Sequence, residues 1–126
     1  MEKEFVFPKG VSPIGPYSPG VIASGKLLFV SGQIPLNPET GELVQGTFKE
    51  MARQAIKNFL SVVEAAGGSV ENVVKVTVYL RDMSKYGEFN EVYSEFFNES
   101  KPARAVVEVS NLPKGVEVEI EGVAVL

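Results

Sequence analysis

Apolar residues recur at three- and four-residue steps in one long stretch of the chain: Phe48, Met51, Ala52, Ala55, Phe59, Val62, Val63 and Ala66. That spacing gathers them on one stripe of an α-helix about five turns long. Thr47-Phe48-Lys49-Glu50 has capping-box spacing at its start, and Gly67-Gly68 closes it. A second stripe, Tyr86, Phe89, Tyr93, Phe96 and Phe97, predicts a shorter helix with Asp82 or Ser84 as its cap. Elsewhere the pattern changes to β-branched runs and strict alternation. Strands are predicted over residues 27–31, 73–80, 103–109 and 116–125. Leu112-Pro113-Lys114-Gly115 predicts the connection that folds the last two into an antiparallel hairpin. Residues 8–20 hold four prolines and three glycines and read as an irregular loop; residues 35–46 read as turns, with Pro38-Glu39-Thr40-Gly41 the strongest.

Strands alternating with helices and ending in a hairpin predict a single α+β domain over residues 1–126, a mixed sheet with two helices on one face. The last strand sharpens this. Val116, Val118, Ile120, Ala124 and Leu126, with Gly122 in line, form a face suited to helices, while Glu117, Glu119, Glu121, Val123 and Val125 form the other. A half-apolar face with no helix over it predicts cover by a second subunit, hence a homo-oligomer built on Val123 and Val125.

Composition narrows the chemistry. The chain has no cysteine and no histidine, which excludes disulfides, thiolate nucleophiles, the usual zinc ligand sets and any serine–histidine triad. No spacing suggests an all-carboxylate metal site, so neither metal nor cofactor is expected. A net charge of −4 and the lack of a basic run argue against nucleic acid as a partner. No apolar run approaches membrane-spanning length, and Met1-Glu2-Lys3-Glu4 leads into no secretory apolar region, so the expected location is the cytoplasm.

Residues 102–120, PARAVVEVSNLPKGVEVEI, resemble the signature of the RidA/YjgF family: an arginine after a small residue, an apolar strand, a leucine, a turn, then Glu between two apolar residues. Gly15-Pro16-Tyr17-Ser18, Ser31-Gly32-Gln33-Ile34-Pro35, Asn37-Pro38-Glu39-Thr40-Gly41, Glu64-Ala65-Ala66-Gly67, Val74-Lys75-Val76-Thr77-Val78 and Asn90-Glu91-Val92-Tyr93 are similar to further family segments, in order along nearly the whole chain. The resemblance implies a chorismate-mutase-like α+β subunit and a homotrimer with active sites between subunits. It implies hydrolytic deamination of reactive 2-imino acids, the imine tautomers of 2-aminoacrylate and 2-aminocrotonate, to 2-keto acids and ammonia, without a cofactor.

Each candidate residue has an ordinary reading beside the functional one. Arg104 sits in an apolar strand, where a guanidinium needs an anionic partner. That partner is either a nearby glutamate or, as the resemblance implies, a substrate carboxylate held by the planar fork. Glu119 is one of three alternating glutamates and reads as a solvated strand face; the resemblance makes it the group that holds and polarises the attacking water. Tyr17 is a loop tyrosine or a cleft wall. Ser31 and Gly32 are a strand-end turn, or a hydroxyl and a backbone amide facing the imine and the water. Asn90 is a surface residue or lines the cleft. Val106 stands where the family often has cysteine, leaving its backbone to contact substrate. If the last two strands form a hairpin, Glu119 lies opposite Glu108 and Arg104 is four positions further, about 13 Å at strand rise. The two would then meet only across a subunit boundary. Two other functions compete: a ribonuclease or translation inhibitor, disfavoured by the acidic charge and missing histidine, and a non-catalytic trimeric binder of small carboxylates, for which Glu119 would be dispensable.

Overall fold

A computed structural model describes residues 1–12 and 14–126; Pro13, inside the loop expected at 8–20, lies outside the described residues. The longer helix, α1 (Phe48–Ala65), begins where the capping signal puts it: the Thr47 hydroxyl accepts from the Glu50 N–H at 3.2 Å. Its stripe of Ala52, Ala55, Ile56, Phe59 and Val63 is fully buried. The shorter helix, α2 (Tyr86–Phe97), follows a 3-10 turn, Met83–Lys85, that Asp82 caps through the Ser84 N–H. It buries Phe89, Val92, Tyr93 and Phe97 into the same core. Across their outer sides the helices are joined by the solvent-exposed ion pairs Lys49–Glu91 and Arg53–Glu95, which water and salt screen.

Four strands carry the helices: β3 (Leu27–Gln33), β4 (Val73–Leu80), β5 (Ala103–Glu108) and β6 (Val118–Val125), numbered after two strands of the N-terminal hairpin described below. Their order across the sheet is β3-β6-β4-β5. The period of two is kept in β4 and β6: Val76, Val78, Leu80, Val118, Ile120 and Ala124 are buried under the helices, and the residues between them turn away. The α+β architecture with both helices on one face is as the pattern predicts.

The hairpin between the last two strands does not form. β5 runs parallel to β4, and β6 runs antiparallel to both β4 and β3. β4, α2 and β5 thus make a strand–helix–strand unit, as a crossover through a helix requires for parallel neighbours. The segment after β5 is too long for a tight hairpin turn and steps across the end of β4. The Val109 N–H donates to the Leu80 carbonyl at 2.9 Å and the Arg81 N–H to the Glu117 carbonyl at 3.2 Å, so β6 enters on the far side of β4. Gly122 permits this central position, since a Cβ there would collide with the Lys75 carbonyl oxygen of the neighbouring strand.

An N-terminal hairpin, β1 (Glu2–Val6) and β2 (Gly20–Ser24), does not show in the pattern, because both strands are only five residues long and the first is charged at three of its positions, which leaves little periodicity. Lys3 ties it down: its ammonium donates to the carbonyls of Ser100, Val73 and Glu71 at 2.7, 3.1 and 3.2 Å. Burial there lowers the lysine's pKa, with Glu71 opposing.

The helix-free face of the sheet is apolar toward β3. Phe29, in register with Val123, is 71% exposed, and Leu27 is 61% exposed. Val125, expected on this open surface, is instead buried within the protomer beside Gly25, where an added Cβ would meet its side chain at 2.8 Å. Among the described residues no helix is long and apolar enough to cross a membrane.

Candidate functional site

Two clusters emerge, one around each of the two charged residues of the signature. Arg104 lies on the edge strand β5, in register with buried Val76, so its side chain projects on the helix side beside α2. One terminal nitrogen donates to the Asn90 Oδ1 at 2.8 Å and the other to the Tyr86 hydroxyl oxygen at 3.1 Å. Three rings surround the guanidinium carbon: Tyr93 at 4.7 Å, Tyr17 at 5.0 Å and Tyr86 at 5.7 Å. Among the described residues no carboxylate lies within ion-pair distance of it. The charge is held by neutral oxygens and by the negative faces of aromatic rings, which attract a cation without cancelling it. Among the described residues of one protomer, the ion pair of Arg104 with a glutamate is therefore not formed.

Tyr93 forms the floor of this box. Burial pushes its phenol up, with the Arg104 charge partly opposing, so it stays neutral. Tyr17 is brought over the arginine because the loop is fastened to the start of β5: the Ser18 N–H donates to the Pro102 carbonyl at 3.3 Å, and Ser18 bridges Ala103. Asn90 reaches the site by accepting from Arg104. Val106, two residues further along β5, pairs with Val78 and packs against the core, so only its backbone is available at the sheet edge.

The second cluster is at the end of β3. Ser31 and Gly32 fall in an irregularity between Val30 and Gln33, where the register with β6 shifts. Glu119 lies over Gly32; a Cβ on that glycine would sit 2.5 Å from the carboxylate Oε2 and 2.8 Å from its carbon. Gly32 and Glu119 line a cleft of ≈ 540 Å³ together with Gln33, Ile34, Asn58 and Pro113. Asn58, on α1, holds the cleft's loop by donating to the Ile34 and Leu36 carbonyls at 3.0 and 2.8 Å. Ser31 is exposed, and its carbonyl accepts from the Gln33 side chain at 3.2 Å. Of the alternating glutamates, Glu121 is engaged: the Tyr79 hydroxyl donates to it at 2.6 Å, which raises the Tyr79 pKa. Glu119 has no side-chain ion pair among the described residues.

Within one protomer the two clusters stay apart. Glu119 is level with Tyr79, and Tyr79 with Val107. From Val107, Arg104 is three residues along the strand, and two strand spacings separate β6 from β5, roughly 14 Å between backbones. The side chains also project from opposite faces of the sheet. The expected separation thus persists although the hairpin that first suggested it is absent. The arginine box was only partly foreseen: Tyr86 and Tyr93 read as helix packing, and their helix spacing relative to Asn90 was the available signal.

A protein-family model described as endoribonuclease L-PSP matches residues 8–126. A RutC family protein of Pyrococcus abyssi is 54% identical over 125 residues, covering 98% of each chain. The human protein named 2-iminobutanoate/2-iminopropanoate deaminase is 44% identical over 117 residues, 93% of this chain and 85% of its own. Among solved structures, the YjgF gene product of E. coli superposes with a TM-score of 0.75 at 44% identity, covering 90% of both chains.

Proposed function

Because this chain belongs to the RidA/YjgF family, we propose that it hydrolyses 2-imino acids to 2-keto acids and ammonia, in a homotrimer whose sites join the arginine cluster of one subunit to the Glu119 cluster of its neighbour. The observation that carries this reading is Arg104: a fork-shaped cation, half-buried, ringed by tyrosines and without an anionic partner among the described residues. Such a site suits a small planar carboxylate, which matches the fork with two parallel hydrogen bonds.

In this scheme Arg104 anchors the substrate carboxylate, and Tyr17 walls the box. Glu119 takes a proton from a water molecule as its oxygen attacks C2 of the protonated imine. A protonated imine is already electrophilic, so a carboxylate base suffices. The proton returned by Glu119 goes to the nitrogen of the resulting carbinolamine; the C–N bond then breaks as the C2 hydroxyl gives its proton to the freed Glu119 carboxylate, leaving the keto group, and Glu119 passes that proton to the departing ammonia, which leaves as ammonium. Ser31 and the Gly32 backbone face the reacting carbon. Asn90 serves by steadying Arg104, and the Val106 backbone borders the carboxylate.

The trimer draws support from the exposed Phe29 and Leu27 on the helix-free face and from the distance between the clusters. The human relative's name, 2-iminobutanoate/2-iminopropanoate deaminase, supports the reaction. The ribonuclease reading, named in the family description, needs cationic phosphate contacts that a chain of net charge −4 without histidine is poorly equipped to supply.

The test is a coupled assay in which threonine dehydratase generates the imine in situ. The protein should accelerate release of 2-oxobutanoate and ammonia, Arg104→Ala should lose at least a hundredfold of that acceleration, and Arg104→Lys should recover little of it, since lysine keeps the charge and loses the fork. Acceleration by the alanine variant equal to wild type would refute the reading.

A further inference from the structure

Tyr86 is the first residue of α2, set in place by the Asp82-capped turn before it. Its hydroxyl oxygen accepts a hydrogen bond from Arg104 at 3.1 Å. A guanidinium can only donate, so the phenol's own proton cannot be spent on Arg104 and must point elsewhere. Among the described residues that proton has no protein acceptor, and the side chain is 36% exposed, so it faces accessible space beside the guanidinium. Asn90 repeats the arrangement: its oxygen is turned to Arg104, leaving the amide N–H groups on the other side. Of the five N–H groups of Arg104, two are taken by these neighbours and three remain, enough for one bidentate anion.

We infer that the Tyr86 hydroxyl is a second carboxylate donor that sets the specificity of this site, holding Arg104 through its oxygen and the substrate carboxylate through its proton. The inference rests on the proposed function and adds a selection rule to it. Two carboxylate oxygens accept from an array made only of donors, whereas a carboxamide or ester presents an N–H or an alkyl group to one of them. The carboxylate is not the reacting group, so its charge is the same in the bound substrate and in the transition state. Losing this contact therefore raises KM and leaves kcat in place.

Tyr86→Phe tests this, because it keeps the ring beside Arg104 and removes only the hydroxyl. Titration calorimetry with two probes, 2-oxobutanoate and its neutral amide 2-oxobutanamide, is read beside steady-state kinetics and the thermal midpoint. A hydrogen bond to a charged group at a partly open site corresponds to roughly five- to twentyfold in affinity. The expected result is a loss of that size for 2-oxobutanoate, a matching rise in KM, and unchanged kcat, amide binding and melting. Unchanged 2-oxobutanoate affinity, equal weakening of both probes, or a fall in kcat at constant KM would each overturn the role given to Tyr86. Arg104→Ala is run alongside: if it binds 2-oxobutanoate as wild type does, the carboxylate anchor itself, and with it the proposed function, is wrong. If it loses binding while Tyr86→Phe does not, only this inference fails.

Discussion

Gly32 and Glu119 are a pair at the scale of single residues. The carboxylate lies where a side chain at position 32 would otherwise be, so the glycine determines which way Glu119 can extend. An alanine there meets the mobile end of a flexible side chain and not backbone, so the protein can accommodate it by moving the carboxylate. Gly32→Ala is expected to melt within a few degrees of wild type, as a change of about 1 kcal/mol would give, while losing more than about tenfold in kcat through displacement of the base. Circular dichroism melts and the coupled assay measure the two quantities, and a normal kcat would show that Glu119 need not rest there. Arg104 and Glu119 could be picked out from the chain because a charge in an apolar strand and a glutamate within a signature triplet are local features. Tyr86 could not be assigned, since its hydroxyl matters through a partner 18 residues away, and aromatic residues at helical spacing read first as core.

At the scale of elements, the insertion of the last strand between β3 and β4 decides where everything else sits. At Gly122 a side chain has no room, with the Lys75 carbonyl oxygen 2.2 Å and the Phe59 ring 3.1 Å from where a Cβ would be. The Lys75 oxygen belongs to the backbone and cannot rotate away. Gly122→Ala is expected to cost about 3 kcal/mol or to prevent folding, as overpacking against backbone does; a denaturant titration measures it, and a loss under about 0.5 kcal/mol would show that the strands separate easily. The helices and the four strands of the main sheet are legible from periodicity, down to the Thr47 cap and the limits of β4, whereas β1 and β2 are not. The pairing of strands was not. A turn-like Leu112-Pro113-Lys114-Gly115 between two apolar runs fits a hairpin and a step across β4 equally well, and only the parallel pairing of β4 with β5 separates them.

For the whole molecule, the proposed function requires two clusters on opposite sheet faces to act together. Crossing between subunits has a sharp consequence. Arg104→Ala and Glu119→Ala should each be inactive alone. Unfolded and refolded together, they should form mixed trimers in which each site has a one-in-four chance of drawing an intact residue from both of its subunits, so activity should return to about a quarter of wild type. Mass measurement confirms the mixing, and mixed trimers without any recovery would place both residues in one subunit's site.

What the sequence determined by itself was what local chemistry can encode: the two helices with the Thr47 cap of the first, the four strands of the main sheet, the α+β class, the exclusion of thiol and imidazole chemistry, and the family to which the spacing of its motifs belongs. The tertiary structure alone decided the order of strands, the burial of Val125, the assignment of Glu121 to Tyr79, and the ring of Tyr17, Tyr86, Tyr93 and Asn90 around Arg104. The physical reason is range. Periodicity and capping are satisfied within a turn or a strand, whereas the neighbours of a charge are supplied by segments far apart in the chain, and nothing in the local pattern states which of them will arrive.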